Sequence, residues 1–294
     1  MTQQDKLHHP SKLSGLVALS KPRILVMVVL MTAAGYFLAA RTIDPIGTFL
    51  LTLLGTAWSS AGAAALNNYL ERDCDIQMAR TRARPIPAGI VSAGEALVFG
   101  LSAVTIGVAI LAWQVNLLTA FLSLLTCFLY VLVYTPLKRV TWWNTVVGAI
   151  PGALPPMGGW AAATNELGAG AWIVFAILFV WQHPHFYAIA WMYRDDYAQA
   201  GFKMLPVVYP DGERTFRQIV GFSLLLIPVS LLPFYYDIAG VVYAVGMVVL
   251  GVGMLGVGLK LRRTHSVKDA RALLQASIIY LPLFFALILC DMNL

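Results

Sequence analysis

Charge is what this chain lacks. Of 294 residues, 34 are Asp, Glu, Lys or Arg, which is 12%, whereas a soluble domain carries roughly 25%. With 59% apolar residues, so little polar surface could not clothe a water-soluble core. Intrinsic disorder and an extended coiled coil are excluded by the same composition. Cysteine is scarce too. Cys74, Cys127 and Cys290 fit no disulfide framework. No stretch alternates apolar and polar residues with the period of two that a membrane barrel needs.

What is present is a series of nine stretches without a formal charge. They run approximately 24–40, 46–66, 96–114, 117–137, 142–164, 167–182 (to about 192 with polar, uncharged residues), 218–236, 238–259 and 272–290. A helix needs about 20 residues to cross the hydrocarbon core of a bilayer, and helices satisfy their own backbone there. The expected fold class is an all-α polytopic membrane protein with nine transmembrane helices. Residues 1–20 would be a cytoplasmic N-terminal segment without a cleavable signal, and 21–294 a single membrane domain.

The basic residues set an orientation. Lys6, Lys12, Lys21 and Arg23 precede the first span; Arg72, Arg80, Arg82 and Arg84 follow the second. Lys138 and Arg139, then Arg194, Lys203, Arg214 and Arg217, then Lys260, Arg262, Arg263, Lys268 and Arg271 occupy the later even-to-odd connections. That places 19 of the 20 on one side, with Arg41 alone on the other. The positive-inside rule then expects a cytoplasmic N-terminus and a C-terminus across the membrane, periplasmic in a bacterial inner membrane. Topology accounts for the net charge of +6, so nucleic acid is not required as a partner.

Two spans carry unusual residues. Gly148 to Gly159 in the fifth holds Pro151, Pro155 and Pro156, which predicts a helix broken beside an internal chamber or kinked for packing. Gly251, Gly253, Gly256 and Gly258 in the eighth predict close helix packing.

Acidic residues are the informative minority. Seven of the 14 fall in two cytoplasmic segments. The first reads Asn67-Asn68-Tyr69-Leu70-Glu71-Arg72-Asp73-Cys74-Asp75. If the second helix continues through it, Asn67, Glu71 and Asp75 lie within about 80° of one another, spread over about 12 Å. One Mg²⁺, with oxygen ligands near 2.1 Å, cannot use all three. A diphosphate with more than one Mg²⁺ could. Arg72, Arg80 and Arg84 stand ready to clamp its oxygens.

The second segment runs from Trp181-Gln182-His183-Pro184-His185-Phe186 to Tyr193-Arg194-Asp195-Asp196-Tyr197 and on through Lys203-Met204-Leu205-Pro206. On a continuous helix His185 and Asp196 share a face, about 16 Å apart, so Asp196 is the metal-ligand candidate here. Histidines inside an apolar span need a cavity or a partner. His183 and His185 either bridge helices or contact a second substrate, through a metal or through propionates.

These residues resemble the UbiA superfamily of intramembrane prenyltransferases, most closely its heme-modifying branch. The superfamily motif N-D-x-x-D-x-x-x-D aligns to Asn67, Asn68, Glu71 and Asp75, with Asn68 and Glu71 each replacing an Asp. The stretch from Met78 to Pro85, the segments Tyr134 to Arg139 and Pro151 to Pro156, and the His183-Pro184-His185 run extend the resemblance over roughly residues 15–290. The second superfamily motif, D-x-x-x-D, is incomplete, since Met192 precedes Asp196 by four.

The resemblance implies a UbiA-type fold around a central intramembrane cavity and transfer of a farnesyl group from farnesyl diphosphate to a vinyl group of heme B. Water adds, giving heme O and diphosphate. It implies Mg²⁺ on Asn67, Asn68, Glu71, Asp75 and Asp196, with Glu71, Asp75 and Asp196 as the catalytic carboxylates. Diphosphate contacts would come from Asn67, Arg72, Arg80, Arg84, Arg194 and Lys203, and heme contacts from His183 and His185. The lipid bilayer is the medium, and heme A synthase or terminal-oxidase assembly factors are the protein partners it suggests. Two other readings share features: a prenyltransferase with a quinone-precursor or chlorophyllide acceptor, and a secondary transporter.

Overall fold

In the computed structural model, which describes residues 11–292, each long apolar stretch is helical. Lys6, His8, His9 and Leu294 lie outside the described residues. The chain begins with α1 (Lys12–Leu19), then α2 (Pro22–Ala40), α3 (Ile46–Asp75) and α4 (Ala93–Gln114). The next rod joins α5 (Leu117–Phe128), a π-helical stretch Leu129–Tyr134 and α6 (Thr135–Val140). After α7 (Asn144–Thr164) and α8 (Ala169–Met192) come the short α9 (Arg194–Gln199) and α10 (Leu205–Val208). The last are α11 (Glu213–Ser230), its short extension α12 (Leu232–Tyr235), α13 (Val241–Thr264) and α14 (Val267–Cys290).

Counting the α5-to-α6 rod once, the described residues hold nine long helices. Eight are long and apolar enough to cross a membrane. The ninth, α7, packs against α2, α5 and α8. Helices α2, α3, α4, α5 and α7 pack in succession, and α7 returns to α2. Helices α8, α11, α13 and α14 form a second group, with α14 returning to α8. The α7–α8 contact joins the two.

The polarity of this bundle is inverted relative to a soluble one. Val98, Leu101, Phe121, Leu132, Val245 and Val252 are exposed, while Asn67, Asn68, Asn144, Gln182 and His183 are buried. Lipid is the natural solvent for such a surface, and the protein supplies most of the interior polar groups with partners.

The fifth span corrects an expectation. Helix α7 is unbroken despite Pro151, Pro155 and Pro156. Its small residues let neighbouring backbones approach. A Cβ on Gly159 would strike the Thr32 carbonyl of α2, and one on Gly35 would strike the Pro156 carbonyl of α7. Dense packing holds the helix where isolated sequence chemistry would break it. The irregular backbone lies instead in the π-helical stretch before α6. In α13, Gly251 and Gly258 do pack on Ile227 and Ile219 of α11, but Gly253 and Gly256 have open space around them.

The loops rich in Lys and Arg gather at one end. The Lys203 amide bonds to the Lys138 carbonyl at 2.6 Å, and the Trp191 indole to the His265 carbonyl at 3.1 Å. At the other end Asp291 accepts from the Gly240 amide through its carbonyl and from the Tyr243 amide through its carboxylate. Helix α1 sits at the charged end, where Leu19 packs with Ala65, Val91 and Ala96.

Candidate active site

Helix α3 explains where the acidic motif stands. Its 30 residues extend about 45 Å, against a hydrocarbon core of about 30 Å. The last turns, Asn67 to Asp75, therefore project from the apolar slab at the charged end. The motif's inner face is nevertheless buried, with Asn67 and Asp75 0% exposed and Glu71 4%, while Asp73 is exposed. The helix does continue through the motif, so the three share the expected face.

Burial forces each polar group to find a partner. Arg84, from the loop after α3, places Nη1 2.8 Å from both carboxylate oxygens of Asp75 and 3.7 Å from Glu71 Oε2. Lys138 of α6 donates to Glu71 Oε1 at 2.6 Å. Lys21, between α1 and α2, donates to Asn67 Oδ1 at 2.6 Å. The Asn67 amide nitrogen in turn donates to Thr135 Oγ1 at 2.9 Å. Three cationic side chains thus surround two carboxylates. Burial, then the positive charge of Arg84, pulls the Lys21 ammonium down to about 7.

Lys21 and Lys138 were not among the expected site residues. Their charges are indistinguishable in sequence from the topogenic charges of any cytoplasmic loop. One signal was available: Lys138 lies in the Tyr134-to-Arg139 segment that carries part of the resemblance. The π-helical stretch stacks Tyr130 on Tyr134 with ring centroids 5.8 Å apart, and Lys138 Nζ sits 4.6 Å from the Tyr134 ring. Such local π-helical turns are frequent at functional sites.

The other expected residues distribute unevenly. Asn68 turns away, donating to the Leu19 and Ala64 carbonyls. Arg72 folds back on its own helix, donating to the Tyr69 carbonyl, and Arg194, at the start of α9, donates to the Trp191 carbonyl near the end of α8. Arg80 lies over the rings of Tyr193 and Tyr197, 5.0 and 4.9 Å from their centroids, so it links the two acidic segments. The two segments also pack together: Cys74 and Met78 form one small core with Tyr197, Ala200 and Phe202. Asp196 is half-buried at the start of α9. The helical register from His185 to Asp196 is not kept, because α8 ends at Met192 and Tyr193 interrupts it before α9. Lys203 is exposed and lines a surface pocket of about 450 Å³ with Thr141 and Trp142.

Pro184 does not interrupt α8, and the histidines beside it face different helices. His183 is 0% exposed and stacks on Phe222 of α11 at 3.7 Å. His185 Nδ1 lies 2.8 Å from Ser277 Oγ of α14, and its ring stacks on Trp181.

Residues 28–288 match the UbiA prenyltransferase family. The chain belongs to that family. The protoheme IX farnesyltransferase of Solibacter usitatus (strain Ellin6076) is 45% identical over 94% of this chain and 97% of that protein. The protein of the same name from Salinibacter ruber (strain DSM 13855 / M31) is 49% identical over 93% of this chain and 96% of that one. Among solved structures, a digeranylgeranylglyceryl phosphate synthase shares the fold with a TM-score of 0.81 at 15% identity, over 95% of this chain and 98% of that one. A UbiA homolog from Archaeoglobus fulgidus bound to GPP and Mg²⁺ has a TM-score of 0.66 at 18% identity, over 93% of this chain and 99% of that one.

The donor set of this UbiA-family chain suits Mg²⁺ in one particular way. Asn67, Glu71 and Asp75 offer oxygen ligands only, as Mg²⁺ prefers. No group of three or more His, Cys, Asp or Glu converges among the described residues. A closed protein cage is therefore not built. One or two carboxylates completed by phosphate oxygens is the arrangement that fits.

Proposed function

We propose that this chain transfers the farnesyl group of farnesyl diphosphate to a vinyl group of heme B, with addition of water, to give heme O and diphosphate. The observation that carries the diphosphate half is the pair Glu71 and Asp75, buried at the charged face of a membrane bundle and bridged by Arg84. The acceptor half rests on the full-length relatives, named for protoheme IX and the farnesyl group.

Diphosphate would enter at the end of α3. Arg84 and Lys138 then exchange carboxylate partners for phosphate oxygens, which a guanidinium can take in a two-pronged contact. Glu71, Asp75 and Asn67, freed of those cations, are the residues that would hold Mg²⁺, with Asp196 approaching from α9. Bound Mg²⁺ would neutralise the diphosphate and favour its departure. Arg80, Arg72, Arg194 and Lys203 supply further positive charge around the mouth. Preorganised positive charge where the leaving group develops its negative charge is a strong catalytic effect.

The allylic C–O bond then ionises, the vinyl group attacks the farnesyl carbon, and water completes the product. His183 and His185 stand on the heme side. Ser277 at Nδ1 of His185 leaves its Nε2 for iron or a propionate. The enzyme would sit in the bacterial inner membrane with a cytoplasmic N-terminus and a periplasmic C-terminus, handing product to heme A synthase or to terminal-oxidase assembly.

The test is heme extraction from cells with and without the protein, followed by chromatography and mass analysis. A farnesyl-hydroxyethyl heme that depends on the protein is the expected result. A prenylated quinone precursor with unchanged heme would overturn the assignment.

A further inference from the structure

Helix α9 is six residues long, Arg194–Gln199. A helix shorter than about 12–15 residues is marginal by itself in water, because its first turn costs more order than its few bonds return. Little of α9 is buried. Tyr197 is, while Asp195, Ala198 and Gln199 are exposed. Yet this helix carries Asp196, one of the carboxylates proposed above to hold the cation. Contacts from outside α9 must fix its place.

Arg80, on the loop after α3, makes such a contact. Its guanidinium carbon lies 5.0 Å from the ring centroid of Tyr193 and 4.9 Å from that of Tyr197. The two tyrosines are four residues apart and bracket Asp196 in the chain. A guanidinium within about 6 Å of an aromatic ring face is attracted to it. Two such contacts, one turn apart, restrain the rotation of α9 as well as its distance. Arg84 gives its guanidinium to the carboxylates; Arg80 gives its own to the rings.

The backbone beneath Arg80 is tied to the end of α3. Met78 is 2% exposed and packs in one core with Cys74 and Tyr197. Thr81 Oγ1 donates to the Asp75 carbonyl at 3.0 Å. Arg80 stands between these two anchors. A second connection leads from Tyr197 to the other carboxylate. The Phe202 amide donates to the Tyr197 carbonyl at 2.9 Å, and the two rings are 6.0 Å apart. The Phe202 ring in turn lies 5.8 Å from Lys138 Nζ, the donor to Glu71. Tyr197 is therefore joined to Asp75 through the Arg80 loop and to Glu71 through Phe202 and Lys138.

We propose that Arg80 is a positioning residue: standing over Tyr193 and Tyr197, it clamps α9 to the end of α3 and so holds Asp196 for the cation that Glu71 and Asp75 bind. The purpose of the clamp rests on the Mg²⁺ and diphosphate reading above. Its chemistry requires a planar cation on one side and aromatic rings on the other, and the tyrosine hydroxyls take no part.

Hydrogen–deuterium exchange of the full-length protein in detergent, without divalent cation, tests the clamp. Arg80→Gln should speed amide exchange in residues 193–203 several-fold and leave α13 unchanged. Tyr193→Leu should do the same, whereas Tyr193→Phe, which keeps the ring, should match the parent. Equal exchange of 193–203 in Arg80→Gln and the parent would overturn the clamp. Farnesyl diphosphate binding to the same proteins then tests its purpose. Arg80→Gln should raise several-fold the Mg²⁺ concentration that half-saturates binding, with binding in the absence of Mg²⁺ equal to the parent's. In an Asp196→Asn background, Arg80→Gln should add no further change. Weaker binding without Mg²⁺ would make Arg80 a phosphate contact, and an effect that persists beside Asp196→Asn would place its action elsewhere; either overturns the positioning role. Parent protein that binds no farnesyl diphosphate would remove the proposed reaction, while the exchange measurement would still decide the clamp.

Discussion

Arg84 Nη1 bridges both oxygens of Asp75 at 2.8 Å and stands 3.7 Å from Glu71 Oε2. A single guanidinium thereby ties together two carboxylates one helical turn apart. It must be shared or surrendered before either can bind a cation. The arrangement stores the carboxylates as ion pairs in a low-dielectric place where an unpaired charge would be costly.

Glu71→Gln and Asp75→Asn each keep side-chain volume and a hydrogen-bond acceptor while removing the charge. Each should insert into the membrane normally and lose about 10²–10³-fold in kcat, the scale of losing one preorganised electrostatic contact. Removal of divalent cation by chelation should abolish turnover in the parent, with recovery on adding Mg²⁺. Steady-state assays in detergent check both. Near-parental turnover in the two variants, or activity indifferent to chelation, would remove these residues from the reaction.

His185 and Ser277 give a paired prediction for the heme side. His185→Ala should weaken heme binding in a spectral titration while farnesyl diphosphate still binds. Ser277→Ala removes the partner at Nδ1 and should cost about tenfold in heme affinity, as outer partners of metal-bound histidines do. Unchanged heme affinity in both variants would assign the histidine to helix packing.

Gly159 has a packing role that can be separated from chemistry. Gly159→Leu should destabilise the bundle by about 1–3 kcal/mol or more, since the added side chain meets α2 backbone. Gly253→Ala, in open space on α13, should be neutral or stabilising by about 1 kcal/mol from helix propensity. Thermal unfolding in detergent compares the two. Equal midpoints would contradict the close α2–α7 approach.

Topology is testable without activity. A reporter fused after Leu294 should be active only when it is periplasmic, and one at the N-terminus only when it is cytoplasmic. A cytoplasmic C-terminus would mean that one of the nine long helices, with α7 the first suspect, does not cross.

Much of this protein is legible in its sequence because the relevant signals are local. Nine uncharged runs become nine long helices, since a bilayer leaves the backbone no other way to satisfy itself. The four-residue spacing of Asn67, Glu71 and Asp75 becomes one helix face, because helix period is a property of the chain alone. The gathering of Lys and Arg into alternate connections foretells the single charged end. Other features depend on residues far apart in the chain, and these only the tertiary structure decided. Lys21 reaches Asn67 across 46 positions and Lys138 reaches Glu71 across 67. No local pattern distinguishes either from Arg82, which lies exposed in a loop. Three prolines leave α7 open to a break or to a packing helix, and contact with α2, α5 and α8 decides for the second. Pro184 likewise leaves α8 intact, while an ordinary residue, Tyr193, ends its register before Asp196. Helix periodicity belongs to the backbone and is written residue by residue. The partner of a buried charge belongs to the packing, which is settled only when distant helices meet.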